Sequence, residues 1–212
     1  MKRKKGLIFD LDGTLVDSMG HLTSLAARIM EKHFGLRVAE ASKLYQKTSG
    51  LPFFEQLHFI YPLETEKNKT ASEEFEEEKR KTYFEEKPYP DTLETLEWLK
   101  AKGYKIAISS NSDDELVQVL AKKLGLVFDW ASGYRSQFPK GKPHFDAIIK
   151  AWKTPPSELI FIGDSLKDGE KAADTTIDFI GKTGTFLHSD FKKNFPQAPI
   201  IKDLQDLKRI LG

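Results

Sequence analysis

The chain has 212 residues, 39% of them hydrophobic, enough for one sizeable core or for a core carrying a small insert. Its 33 Lys and Arg nearly balance 32 Asp and Glu, for a formal net charge of +1, so composition offers no reason to expect a nucleic-acid or membrane partner. Cysteine is absent, which excludes a disulfide framework and a thiolate metal site and makes a reducing, cytoplasmic setting the simplest reading.

The chain opens on Met1-Lys2-Arg3-Lys4-Lys5, a basic start that could begin a signal peptide. The apolar stretch after it, Leu7 to Phe9, is too short for the apolar core of one, and no run of about 18 apolar residues follows anywhere. The first few residues are therefore read as solvated. Leu7-Ile8-Phe9 is the kind of continuous apolar run that suits a strand buried on both faces of a parallel sheet.

Residues 16 to 88 contain no convincing strand. Leu22, Leu25, Ile29 and Met30 fall at helical spacing, as do Phe54, Leu57 and Ile60-Tyr61. Glu and Lys dominate from 66 to 87, with Phe75, Tyr83 and Phe84 as apolar anchors, and Glu76–Arg80 and Glu77–Lys81 lie four residues apart, as on a solvated helix. This segment reads as a small all-helical insert, with Pro88-Tyr89-Pro90 a stiff return linker.

Further strands are expected at Lys105–Ser109, Phe128–Ser132, Glu158–Ile162, Ile177–Ile180 and, more weakly, Pro199–Ile201. Helices alternate with them. One starts at Asp91 and runs through Leu93, Leu96, Trp98 and Leu99 to Gly103; another is capped by Asp113 or Asp114 and turns Leu116, Val119, Leu120 and Leu124 inward before Gly125. Others cover Pro143–Trp152, Leu166–Ala173 and Asp203–Leu211, and Trp98, Trp130 and Trp152 read as core. Alternation of this kind predicts a doubly wound α/β fold with a parallel sheet, built from residues 1–15 and 89–212, with 16–88 inserted.

Chemistry concentrates where apolar strands end in acids. In Phe9-Asp10-Leu11-Asp12-Gly13-Thr14, alternation along an extended chain puts Asp10 and Asp12 on one side and Leu11 on the other. Carboxylates at the carboxyl end of a buried strand occupy the crevice where open α/β sheets bind ligands. Phe161-Ile162-Gly163-Asp164-Ser165-Leu166-Lys167-Asp168 repeats the arrangement, with helix N-capping by Asp164 or Ser165 as the lesser alternative.

These segments resemble the first and fourth motifs of the haloacid dehalogenase-like superfamily, in its branch of aspartyl-phosphate phosphatases, and the resemblance spans nearly the whole chain. It implies a Rossmann-like core with a helical cap of the C1 type inserted after the first motif. It implies that Asp10 is the nucleophile and Asp12 the general acid and base, starting protonated. Mg²⁺ would be held by Asp10, Asp164 and the backbone carbonyl of Asp12, with Asp168 acting through water or orienting the shell.

The family's second motif is a Ser or Thr ending the next core strand. Ile106-Ala107-Ile108-Ser109-Ser110-Asn111 fits, with Ser110 preferred because Asn commonly follows that residue, and Ser109 as the alternative register. Ser110, Asn111 and Thr14 are then expected to bind phosphate. The third motif is a Lys, assigned to Lys142 because Lys142-Pro143 matches the common Lys-Pro form; Lys140 is the neighbouring candidate that lacks the proline. The family often has Gly near Asp174, where Asp can tolerate a left-handed turn.

Asp12 favours phosphate esters, since family dehalogenases and phosphonate hydrolases generally lack an acid two residues after the nucleophile. The reading is a Mg²⁺-dependent phosphatase of a small phosphorylated metabolite, a monomer or weak homodimer, with a phosphomutase of the β-phosphoglucomutase type and a non-catalytic binding protein on the same fold as alternatives. In the insert, Lys47-Thr48-Ser49-Gly50 is the best match to a substrate-reading turn, through Lys47 or Thr48, although Gly50 and Pro52 explain a helix break by themselves. Gly181-Lys182-Thr183 looks like the tail of a P-loop, but that loop needs Gly at position 176, which is Thr. The five histidines show no metal-ligand spacing.

Overall fold

A computed structural model describes residues 4–212, so the reading of the first three residues as solvated lies outside the described residues. The chain divides into two compact units, one running up to Asp17 and resuming over Lys87–Gly212, the other Ser18–Glu86. Among the described residues, no helix is long and apolar enough to cross a membrane.

The first unit is built on six strands, β1 (Gly6–Phe9), β2 (Lys105–Asp113), β3 (Trp130–Tyr134), β4 (Leu159–Gly163), β5 (Asp178–Lys182) and β6 (Ile200–Ile201). They form one sheet in the order β3-β2-β1-β4-β5-β6, with every pairing parallel. β1 and β4 are buried along their whole lengths. That burial is why both read as unbroken apolar runs rather than alternating ones. Phe161 anchors one face, its ring 4.9 Å from that of Phe145 and 6.5 Å from that of Phe179. Each such buried side chain contributes roughly 1.5–3 kcal/mol.

The second unit is all helical: α1 (Met19–Phe34), α2 (Val38–Lys47), α3 (Phe53–Ile60) and α4 (Thr65–Thr82), closed by a short 3₁₀ turn at Tyr83–Glu85. Its core joins Leu22, Leu25, Ile29 and Met30 of α1 to Tyr45, Phe53 and Phe75, the last two with ring centres 4.4 Å apart.

The helices of the first unit are α5 (Thr92–Ala101), α6 (Asp114–Lys123), α7 (Lys142–Trp152), α8 (Leu166–Asp174), α9 (His188–Asn194) and α10 (Leu207–Leu211). Asp113 caps α6, accepting from the amides of Glu115 and Leu116. Asp91 stands at the start of α5, but its carboxylate accepts from the distant amide of Gln205, at 2.9 Å, rather than from its own helix. Several expectations are corrected. Val119 is exposed and Val117 takes the inward position. The three tryptophans are half-buried, with Trp130 and Trp152 packed against the edge of the core. The closing helix breaks into a 3₁₀ turn, Leu204–Asp206, and α10. α9, seven residues of mixed polarity, carries little periodic signal. The left-handed residue after α8 is Thr176, with φ 56°, not Asp174.

Candidate active site

β1 lies between β2 and β4, and the strand order reverses there, so a crevice opens beyond the carboxyl ends of β1 and β4. Asp10 and Asp164 are the residues that follow those two strands. The Asp10 amide donates to the Ile162 carbonyl at 2.9 Å, which continues the ladder one step past β1 and holds Asp10 beside the end of β4. Asp168 arrives from the first turn of α8, where Ser165 and Asp168 form a reciprocal capping box. Gly163 makes room for it: a Cβ there would stand 2.5 Å from Asp168 Oδ2.

Asp10, Asp164 and Asp168 are all buried, and each offers a carboxylate oxygen within 4.8 Å of those of the other two. The ammonium of Lys140 lies 2.7 Å from Asp10 and 2.7 Å from Asp168, with its side chain 1% exposed. Burial pushes the Asp10 carboxyl well above its ordinary range; Lys140 opposes the shift, while the charges of Asp168 and Asp164 add to it. Burial, with the Asp168 charge, pushes Asp164 up to about 6 despite a hydrogen bond from Thr185 Oγ1. Burial acts on Asp168 in the same sense, but the charges of Lys140 and Lys171 and hydrogen bonds from Lys140 and Ser165 outweigh it and hold that carboxyl below the usual range. Lys140 is itself held above the ordinary lysine range, because Asp10 and Asp168 overcome its own desolvation.

Lys140 thus touches two of the three carboxylates, Asp10 and Asp168, while Asp164 is held by Thr185, and the cluster is short of positive charge. An all-oxygen donor set of this kind suits a hard divalent cation such as Mg²⁺, and the residues present fit one.

Asp12 is half-buried, and its Oδ2 accepts from Ser112 Oγ at 2.6 Å and, more weakly, from Ser110 Oγ at 3.4 Å. β2 makes this possible by running on past Ser109 to Asp113 with an irregularity in its pairing to β3. Ser109 turns the other way: its hydroxyl lies 2.9 Å from Nδ1 of buried His144. Of the two registers for the second motif, the one that brings a hydroxyl to Asp12 is Ser110.

The structure does not bring all the expected residues together. Lys142 is exposed on the first turn of α7 and pairs with Asp146 at 2.6 Å, one helical turn along. Lys140 occupies the place expected of it. Gly141, with φ 109°, reverses the chain between the two lysines, so that one enters the acid cluster and the other begins a solvent-facing helix. Asn111 is half-buried in β2. Thr14 is fully buried, and its hydroxyl has no hydrogen-bond partner among the described residues. In the helical unit Lys47 is exposed, whereas the Thr48 hydroxyl is engaged internally, 2.8 Å from the Leu44 carbonyl and 2.8 Å from Gln56 Oε1.

Ser112 and Thr185 are absent from the sequence reading, because a lone hydroxyl residue carries no chemical signature. A cavity of about 720 Å³ lined by Ile160, Ile177, Phe179 and Phe195 contains none of the acids.

A model of the haloacid dehalogenase-like hydrolases matches residues 4–174, which takes in β1, β2 and β4 and every acid of the cluster. The chain belongs to the haloacid dehalogenase-like hydrolase family. Within it, the chain is 30% identical over 173 residues to a phosphoglycolate phosphatase of Pseudomonas fluorescens, a match spanning 76% of this chain and 63% of that protein's length. It is 32% identical to a phosphoglycolate phosphatase of Aquifex aeolicus over 174 residues, 77% of this chain and 78% of that one. A haloacid dehalogenase-like family hydrolase from Streptococcus pneumoniae shares the fold at TM-score 0.84, covering 100% of both chains at 24% identity.

Proposed function

We propose that this chain is a Mg²⁺-dependent phosphatase that hydrolyses a phosphate monoester of a small metabolite through an aspartyl-phosphate on Asp10. The observation that carries the reading is the pairing of two differently held acids on one loop. Asp10 is buried against Lys140, and Asp12, two residues on, is held by serine hydroxyls.

A carboxylate oxygen of Asp10 attacks phosphorus, and the bond from phosphorus to the ester oxygen breaks. Asp12 gives its proton to that departing oxygen, which leaves as an alcohol. Asp12 then takes a proton from the water that attacks phosphorus in the second step, freeing Asp10 and releasing inorganic phosphate. Lys140, rather than Lys142, holds Asp10 in place and offsets the charge of the incoming phosphoryl group. The Ser110 hydroxyl is assigned to a phosphate oxygen, and Asn111 to the same end of the site. Asp10, Asp164 and the Asp12 carbonyl would hold Mg²⁺, with Asp168 supporting them, and the ion would neutralise charge building on the phosphoryl oxygens.

Resemblance to phosphoglycolate phosphatases supports a small phosphorylated acid as substrate. The helical unit Ser18–Glu86 is assigned the role of a substrate-selecting cap from its place in the chain. The test is turnover of p-nitrophenyl phosphate and of a panel of phosphorylated metabolites, phosphoglycolate included, with Mg²⁺ present. Phosphate release is expected from wild type and its loss from Asp10→Asn. Wild-type turnover by Asp10→Asn would falsify the nucleophile assignment.

A further inference from the structure

Lys182 ends β5 and is 4% exposed. A buried ammonium is costly unless it is paired, yet among the described residues Lys182 makes no ion pair. Its Nζ donates instead to the Gly13 carbonyl at 3.1 Å and stands 3.7 Å from the centre of the Tyr89 ring. Desolvation holds its pKa below the ordinary lysine range, against the opposing pull of Asp164, Asp91, Asp203 and Asp17. A charge kept at that cost and directed at one peptide carbonyl has a purpose in that peptide.

The peptide belongs to the turn that carries Asp12. Gly13 is left-handed, with φ 80°, and its amide donates to the Val16 carbonyl at 2.8 Å. Tyr89 ties the far end of the same loop. Its amide donates to the Leu15 carbonyl at 3.1 Å, and its hydroxyl is hydrogen-bonded to the Asp17 carboxylate. Lys182 and Tyr89 therefore pin residues 13 to 17, each lying against the other by a cation–π contact. Asp12 Oδ2 is fixed at its tip by Ser112; the turn from which it projects is closed by the amides of Thr14, Leu15 and Val16 on the Leu11 carbonyl and is gripped from outside by Lys182 and Tyr89.

We propose that Lys182 is a positioning residue: by gripping the Gly13 carbonyl it sets the turn that aims Asp12 at the leaving-group oxygen. This rests on the reading of Asp12 as general acid. The two esters differ only in the first step, where Asp12 delivers a proton to the departing oxygen; the second step, in which Asp12 takes a proton from water, is common to both. An alkoxide leaves poorly without the delivered proton, whereas p-nitrophenolate, a weak base, leaves nearly as well unprotonated.

The experiment compares wild type, Lys182→Met and Lys182→Arg on p-nitrophenyl phosphate and on the best alkyl phosphate of the wild-type panel. It is paired with hydrogen exchange of the peptide covering residues 10–17. Lys182→Met is expected to lower kcat/KM, which reports the steps up to release of the alcohol, about 10- to 100-fold on the alkyl phosphate and less than about threefold on p-nitrophenyl phosphate. Loop amides should exchange about tenfold faster, and Lys182→Arg should restore most of both. If Lys182→Met does not fold, Lys182→Gln, one atom shorter than lysine, takes its place. Equal losses of kcat/KM on the two esters, or unaltered exchange over 10–17, overturn the clamp. If wild type releases phosphate from neither ester, the phosphatase reading fails, and the exchange measurement still decides whether Lys182 holds the loop.

Discussion

Lys140 Nζ sits 2.7 Å from a carboxylate oxygen of Asp10, and both side chains are almost wholly buried although 130 positions separate them in the chain. The contact is an ion pair taken out of water, where attraction is strong and the loss of either partner is felt in full. It also settles which of two neighbouring lysines serves the acid cluster.

Removal of that ammonium is therefore expected to be severe. Lys140→Met should lower kcat/KM on p-nitrophenyl phosphate by about 10²–10³-fold, the usual scale for losing a positioned charge in a closed site. Lys142→Met, which removes only an exposed pair with Asp146, should stay within about twofold of wild type. Steady-state kinetics on the two variants checks both, and a reversed order of losses would return the role to Lys142.

Mg²⁺ should stabilise the fold as well as support turnover. The excess of buried carboxylate charge is relieved when a divalent ion binds, and a ligand at 100 times its Kd adds about 2.7 kcal/mol. Protons compete for the same oxygens. Asp164 titrates near 6, so the Mg²⁺-induced rise in Tm should be large at pH 7.5 and shrink as pH falls through 6. Differential scanning fluorimetry with Mg²⁺ and with EDTA, on wild type and Asp164→Asn, reads this directly; an equal rise in the variant would exclude the cluster as the site.

His144 supplies a pH dependence of the opposite origin. Its Nε2 lies 3.1 Å from the Phe138 carbonyl, which can only accept, so the proton sits on Nε2 and Nδ1 accepts from the Ser109 hydroxyl. The neutral ring has both nitrogens satisfied. Burial lowers its pKa from 6.5 to about 4, with the Lys140 charge acting in the same direction. Between those values the unfolded chain binds the extra proton and the fold does not, so stability rises with pH across the window. The contribution is fully present above 6.5 and is lost progressively toward pH 4, about 3 kcal/mol in all. Urea unfolding of wild type and His144→Gln from pH 4.5 to 7.5 should show the gap between them widening with pH; a constant gap would sink the assignment.

Gly163 offers a steric test. A methyl group there would press to 2.5 Å from Asp168 Oδ2 and 2.6 Å from its Cβ, and both residues are buried, which leaves the side chain little room to yield. Gly163→Ala is expected to cost about 1–3 kcal/mol and to lower kcat by displacing Asp168 from Lys140. Chemical denaturation and kinetics on the same preparation would show both effects, and a stable, fully active variant would contradict the geometry.

Much of this site is written locally. Asp10 and Asp12 follow one apolar run and Asp164 and Asp168 another, and a chain that buries those runs in a parallel sheet has no choice but to deliver the acids to its carboxyl edge. The all-helical character of residues 18–86 is equally local, since the apolar spacing in α1 and α3 states its period directly. Which lysine meets Asp10, which serine meets Asp12 and which carbonyl Lys182 meets were decided only in three dimensions. A lysine reaches several ångströms from its backbone, and a single left-handed glycine at 141 sends two lysines in opposite directions. Ser110 and Ser112 depend on an irregular stretch of β2 that no strand periodicity announces. Lys182 pairs with a carbonyl 169 residues away, and backbone groups carry no residue identity that a sequence could display.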